Sequence, residues 1–406
     1  MTIETTSAFA DQVGAIRDDI IALRRELHRD PEIGLHLPRT QQRILDALAG
    51  LPVEITTGRD LSSVLAVLRG GRPGRTVLLR GDMDALPVQE ETGLEYASAV
   101  PGAMHACGHD LHMATLVGAA KLLCAARDDL AGNVIFMFQP GEEGPGGAER
   151  MISEGLLDIA GERPVAAYTI HVISGDDRHG VFSSRRGSFM AAADAIKVVV
   201  RGAGGHGSAP HRAKDPIPAA CEMVTAMETF VTRNIDIWDP VVVTVGQFHS
   251  GTVDNVIPAN AMFDATVRSF SPEARKTISD GLMQVVRGIA DAHGLRVDIN
   301  YEWGYPVTVN TDTEAEFAAA TVVELFGPDR FEWMANPNAG SEDFSYVLQQ
   351  VPGAYLNVGA CPPDIDPATA PMNHSPFARY DDAVVPDGAV LLAELAQRRL
   401  AQAALD

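Results

Sequence analysis

Between positions 105 and 112 the chain carries His105, Cys107, His109, Asp110 and His112. That density of sulfur, imidazole and carboxylate donors is high for a 406-residue protein with 4 Cys and 12 His. Cys107 and His109 stand two residues apart, just ahead of an apolar helical pattern over 111–126, so a thiolate and an imidazole can aim at one point. Upstream, the apolar run Val77-Leu78-Leu79 reads as a buried strand that leads to Asp82-Met83-Asp84. Downstream, Glu142 and Glu143 are neighbours in a glycine-rich loop. Adjacent loop residues point in different directions, so one carboxylate can bind a cation while the other faces water. Hydrolysis needs that division: a cation acidifies water, and a carboxylate takes the proton and returns it to the leaving nitrogen. His171 follows a strand and His374 sits in a polar loop; either one alone would pass as a structural histidine.

Together Cys107, His109, Glu143, His171 and His374 make five ligands for two divalent ions. Hydrolytic two-ion sites hold their ions about 3.5–4 Å apart through shared ligands, and Cys107 or His109 is the candidate bridge. A thiolate bridge favours Zn, Co, Ni or Mn over Mg or Ca. Asp84 suits a supporting place, accepting the second ring N–H of a ligating histidine.

The elements that must place these residues alternate between strand and helix. Apolar spacing predicts helices over 12–29, over a stretch through 48 capped by Thr40, over 111–126 and over 147–154. Strands are expected at 63–68, 76–79, 133–138 and 165–170. This is the α/β pattern of a mixed sheet flanked by helices, whose sites lie at the carboxyl ends of strands. Asp82, Asp84, Glu142, Glu143 and His171 all fall at such ends. Near Gly187 the pattern changes. Strands at 195–200, 241–248, 261–270 and 295–299, with helices from Pro216 and over 272–293, follow the order β-α-β-β-α-β. That is a split-βαβ, ferredoxin-like α+β domain inserted into the first one. The boundaries drawn are 1–187 and 303–406 for the catalytic domain and 188–302 for the insertion. Helices are expected again at 314–325, 341–349 and 388–401, with a strand at 353–358.

A length of 406 residues suits two domains, and 46% hydrophobic with 21% charged residues suits a soluble globular chain. The net charge of −22 argues against a nucleic-acid or anionic-membrane partner. No apolar stretch reaches the length of a membrane span, and the amino-terminal residues MTIETTSAFADQVG lack the basic and apolar segments of a leader. Cys107, Cys124, Cys221 and Cys361 are scattered without disulfide-framework spacing, so a reducing, cytoplasmic setting is expected.

Six stretches, in this order, resemble the M20 metallopeptidases: RGDMDALP (80–87), HACGHDLH (105–112), FQPGEEG (138–144), GGHGSAPH (204–211), NVIP (255–258) and AGSEDFSY (339–346). Within that family they are similar to the amidohydrolases, which include hippurate hydrolases, N-acyl-amino-acid amidohydrolases and plant indoleacetyl-amino-acid hydrolases. The resemblance implies a dinuclear catalytic domain, an inserted lid, and frequently a homodimer formed through the lids. It places the metal ligands on Cys107, His109, Glu143, His171 and His374 and the general base on Glu142. Asp82 stands where many peptidase relatives have a metal-binding histidine, and Cys107 near their bridging aspartate; both departures are typical of the amidohydrolase branch. His206 resembles the lid histidine that polarises the scissile carbonyl, often from the partner subunit. Asn255 and Arg268 resemble lid residues that bind the substrate's carboxylate end, although Arg268 could also only cap a lid strand. Gly340 and Ser341 are expected to open a helix whose amides hold an anion or carbonyl oxygen, or Ser341 to be its N-cap. The expected activity is metal-dependent hydrolysis of an N-acyl amino acid. A dipeptidase or an N-acetyl-amino-acid deacetylase would share the site, and a non-catalytic metal-binding protein could share the fold.

Overall fold

A computed structural model describes residues 7–403; residues 1–6, part of the stretch read for a leader, and residues 404–406 lie outside it. The chain divides into two compact units. The first comprises the chain up to Gly187, Val309–Ala335 and the chain from Tyr346 on; the second comprises Ser188–Thr308 and Asn336–Ser345.

The first unit is built on an eight-stranded sheet. Its strands are β1 (Val53–Thr57), β2 (Val64–Arg69), β3 (Arg72–Asp82), β4 (Ala131–Gln139), β5 (Ala166–Ile173), β6 (Phe182–Ser184), β7 (Phe331–Trp333) and β8 (Gly353–Gly359). They lie in the order β1-β2-β4-β3-β5-β8-β6-β7. The central strands β4, β3, β5 and β8 run parallel to one another, so their carboxyl ends share one edge. Their near-continuous apolar runs, such as Val77-Leu78-Leu79, fit a sheet covered on both faces. The helices of this unit include α1 (Arg17–Arg29), α2 (Pro38–Leu48), α3 (His109–Ala125), α4 (Gly147–Ser153), α5 (Asp312–Phe326) and α6 (Val384–Ala403). Helix α3 is buried almost all round. Gly118 lets it approach α6 closely, since a Cβ there would lie 2.8 Å from Ala389 Cβ.

In the second unit, four antiparallel strands, Ala192–Arg201, Val241–Ser250, Asn260–Ser269 and Arg296–Glu302, form one sheet. The sheet order puts Asn260–Ser269 and Ala192–Arg201 in the middle, and helices Pro216–Asn234 and Pro272–Ala292 pack with it around a core of their own. Asp215 caps the first helix by accepting from Ile217 N at 3.0 Å, ahead of Pro216. This is the split-βαβ arrangement anticipated from the element order.

Several local expectations are corrected. The helix expected over 12–29 is broken: a short helix, Ala8–Gln12, and a 3-10 turn, Val13–Ala15, precede α1. Thr40 does not cap α2. Pro38 opens that helix, and Thr40 N instead donates to the Glu32 carboxylate at 2.8 Å. The helix expected over 341–349 is one turn, Ser345–Leu348. Glu342 ends the loop ahead of it, its side chain accepting from Phe344 N and its carbonyl from Ser345 Oγ. Gly340 and Ser341 therefore lie in a loop, and the helix-terminus argument for them lapses.

The close approach of α3 and α6 makes one prediction. Gly118→Leu should destabilise the first unit by about 1–3 kcal/mol through overpacking. A lower urea midpoint at unchanged slope is the expected result.

Candidate metal centre

Every segment that carries a sequence-predicted ligand lies at the carboxyl edge of the four parallel strands. Cys107 and His109 stand at the start of α3 on the way from β3, Glu142 and Glu143 follow β4, His171 lies near the end of β5, and His374 lies in the loop between β8 and α6. Gly108, between the first two, has φ of +80°, and a Cβ there would sit 2.3 Å from Val172 Cγ2. The turn that aims both Cys107 and His109 inward therefore needs glycine.

The donor atoms converge. Cys107, His109 and His171 form one triad and Cys107, Glu143 and His374 another, each with ligand atoms within 4.8 Å of one another. Cys107 Sγ lies 3.4 Å from His171 Nε2 and 3.3 Å from His374 Nε2. Glu143 Oε1 is 3.4 Å from His374 Nε2 and 3.8 Å from His109 Nε2. A third triad joins His109 to Glu142 and Glu143, which puts the Glu142 carboxylate at the same place.

Two of the imidazoles have their tautomers set by the backbone. His109 Nδ1 is 2.7 Å from Asp84 O, and His171 Nδ1 is 2.8 Å from Val172 O. A carbonyl only accepts, so each Nδ1 carries a proton and each ring turns Nε2, the nitrogen that a cation would bind, to the cluster. His109 Nε2 is buried with no hydrogen-bond partner among the described residues. A buried imidazole nitrogen left over beside a sulfur, a carboxylate and further imidazoles is what a divalent cation would satisfy, so the residues fit a metal site.

Asp84 holds this arrangement differently from the sequence-based expectation. Its backbone carbonyl, rather than its carboxylate, anchors His109. The carboxylate accepts from Glu142 N and Glu143 N, both at 3.0 Å, and so clamps the acidic loop. β3 and β4 are neighbours, so the short Asp84 side chain reaches the two amides just beyond β4. Asp82 is spent on structure: Oδ1 accepts from His112 Nδ1 and Oδ2 from Arg80, both at 2.6 Å. His112 Nε2 in turn accepts from Val172 N at 2.9 Å, which removes His112 from the ligand set. Asp110 ties the first turn of α3 to α1 through Arg24 Nε at 2.9 Å and His28 Nδ1 at 2.7 Å, and Arg24 reaches Asp382 at 3.0 Å. Composition gave no signal for Arg24 or His28, because their helix positions look like ordinary amphipathic ones. Asn373, beside His374 in a polar loop, likewise carries no local signal in the sequence.

Charge follows this packing. Burial presses the His171 imidazole well below its usual range, with the His112 ring adding to it. Burial also pushes buried His105 down to about 3, so it stays neutral. His374 is pushed up to about 10 by its hydrogen bonds to Cys107 and Glu143. Its backbone φ is +73°, in the left-handed region, which costs a residue with a Cβ about 1–2 kcal/mol.

Residues 78–398 match peptidase family M20/M25/M40. The chain belongs to that family. It is 39% identical over 359 residues to thermostable carboxypeptidase 1 of Saccharolobus solfataricus, covering 86% of this chain and 88% of the relative. It is 39% identical over 313 residues to an N-acyl-L-amino acid amidohydrolase of Geobacillus stearothermophilus, covering 77% and 82%. The crystal structure of the Bacillus subtilis YXEP protein, described as a dinuclear metal binding peptidase from M20 family, superposes with a TM-score of 0.82 at 30% identity, covering 96% of this chain and 99% of that one. The protein is thus an M20 hydrolase with amidohydrolase and peptidase relatives.

The remaining M20-like positions belong to the second unit. His206 is exposed on a two-residue ribbon, paired with Val256. Its Nδ1 accepts from Ser208 N at 3.1 Å, so Nε2 carries the proton and is the donor the ring can offer. Asn255 O accepts from Gly207 N at 2.8 Å and fixes the loop after His206. Arg268 Nη1 donates to Thr266 Oγ1 at 2.7 Å and to Val267 O at 3.2 Å. Among the described residues it has no carboxylate partner. Gly340 N donates to Asn338 Oδ1 at 2.7 Å.

A cation must displace the proton that His374 carries below a pKa of about 10. Binding near pH 7 should therefore release protons, and apparent affinity should climb as pH rises toward that value. Titration calorimetry in buffers of different ionisation enthalpy reads the release directly. A binding heat that does not change with buffer would contradict it.

Proposed function

We propose that the protein hydrolyses the amide bond of N-acyl amino acids, releasing a carboxylate and a free amino acid. The observation that supports this reading best is the convergence of the Glu142 carboxylate with a five-ligand donor set of Cys107, His109, Glu143, His171 and His374. Two divalent ions, drawn from Zn, Mn, Co or Ni, would be held there by Cys107, His109, Glu143, His171 and His374, and Cys107 and His109, each common to two of the triads, are the candidates to serve both ions. When bound, such ions acidify water and polarise an amide carbonyl.

The chain's own residues do the rest. Glu142 takes the proton of the attacking water and passes it to the leaving nitrogen. Asp84 keeps the Glu142 backbone in place, so the base presents its carboxylate without a search among loop conformers. His206 offers Nε2–H to the oxygen that gains charge during attack. Arg268 and Asn255 are assigned to the substrate's carboxylate, for which the Arg268 guanidinium lacks a competing acid among the described residues. Ser188–Thr308 would act as a lid and as the contact of a homodimer. Cys107 must stay reduced to bind as a thiolate, which a reducing cytoplasm provides; all four cysteines are free in the structure.

A second reading, cleavage of dipeptides or of carboxy-terminal residues, draws on the carboxypeptidase relative. A substrate panel separates the two. Metal-stripped protein re-supplied with each cation should turn over benzoyl, acetyl or longer acyl amino acids faster than simple dipeptides. Preference for dipeptides with every cation would overturn the first reading in favour of the second. Glu142→Gln should lower kcat by about 10²–10⁴-fold while still binding two ions. His206→Ala should cost about 10²–10³-fold in kcat. Full activity in Glu142→Gln would rule out its part as the base.

A further inference from the structure

One side chain outside the ligand set touches three of the segments that carry it. Asn373 adjoins His374. Its Nδ2 donates to Val172 O at 3.0 Å and reaches Cys107, 3.4 Å from the carbonyl oxygen and 3.8 Å from Sγ. Its Oδ1 accepts from Ser174 N at 2.9 Å, and Ser174 Oγ lies 2.9 Å from both Asn373 Oδ1 and Pro371 O, which share its one hydrogen. The partners settle which way the amide faces. Val172 O can only accept and Ser174 N–H can only donate, so the flipped amide would set like against like.

The shared partner matters more than the count of bonds. Val172 O is also the carbonyl that holds His171 Nδ1, at 2.8 Å, so Asn373 and His171 use one anchor. His374 N donates to Ala106 O at 2.8 Å, beside Cys107. The left-handed φ of +73° at His374 is thus imposed from both sides, by its own backbone on Ala106 and by the neighbouring amide on β5. Cutting the amide would release the backbone that aims His374 and, with it, one hydrogen bond to the strand that carries His171.

We propose that Asn373 is a positioning residue of the metal centre, one that sets the spacing of Cys107, His171 and His374 and directs an N–H at the Cys107 sulfur. The N–H would offset part of the charge on the Cys107 thiolate when cations are held there and limit the directions its lone pairs can take. This rests on the metallohydrolase reading above, and its test keeps the two apart.

The test uses metal-stripped full-length protein titrated with cobalt(II). The thiolate-to-cobalt charge-transfer absorption reports Cys107, and competition with a chromophoric chelator gives the affinity. Asn373→Leu keeps the side chain's volume and removes its hydrogen bonds. It should bind cobalt about 10–100-fold more weakly, with a smaller or displaced charge-transfer band, while the metal-free variant melts within a few degrees of wild type. Wild-type affinity with an unchanged band overturns the proposal, and so does a lower melting temperature with affinity and band intact. If Asn373→Leu does not fold, Ser174→Ala takes its place, since it leaves the amide and removes the hydroxyl beside its Oδ1. A several-fold loss of affinity is then expected, and no loss overturns the role. A wild-type protein that binds no cobalt would instead sink the metallohydrolase reading itself.

Discussion

The constraint on which the site depends is the direction of lone pairs. A buried sulfur, a carboxylate and three imidazoles can crowd together usefully only if each turns an acceptor inward and spends its donors elsewhere. The backbone does this for two of the rings. Asp84 O and Val172 O each take an Nδ1–H, which leaves Nε2 of His109 and His171 to face Cys107 and its neighbours. His112 shows the alternative. With Nδ1 on Asp82 and Nε2 on Val172 N, it has nothing left to offer a cation. Neighbouring histidines of one cluster thus have two different uses, decided by which group each one meets.

The sheet makes those meetings possible. Four parallel strands end along one edge, and each hands its following segment to the centre. Parallel strands need long crossovers, so residues far apart in sequence, Asp84, Glu142, His171 and His374, arrive from separate connections. The supports are buried charge pairs rather than apolar contacts. Arg80–Asp82 and Arg24–Asp110 are both fully enclosed, and Asp82 is held well below the carboxylate range by Arg80 and by the His109 and His112 rings, against the opposing effect of burial. Removing one member of such a pair leaves an uncompensated charge, which makes the pairs strong fixings for the residues next to them.

Much of this was legible in the sequence. The density of donors at 105–112, the paired glutamates and the change of pattern near Gly187 are local signals, and local signals survive without a structure. The strand ends at Asp82 and Glu142 were legible for the same reason, since apolar runs and glycine-rich loops sit side by side in the chain. What was not legible is pairing across distance. Nothing near Asp84 says that its carboxylate meets the amides of Glu142 and Glu143 while its carbonyl takes His109. Arg24 and His28 look like one face of an amphipathic helix until Asp110 is seen beside them. The helix expected over 341–349 failed for a smaller reason: Ser341 and Asp343 suit a helix start, but the Glu342 side chain closes a turn first and delays the helix to Ser345.

The proposal on which the metal chemistry turns is that the Cys107 sulfur binds metal in a two-ion centre. X-ray absorption at the cobalt edge of protein loaded with two equivalents tests it most directly. The account predicts a sulfur neighbour in the average of both ions together with a second cobalt nearby, and loss of the sulfur signal in Cys107→Ser. A spectrum explained by nitrogen and oxygen neighbours alone, or by a single isolated ion, would contradict it.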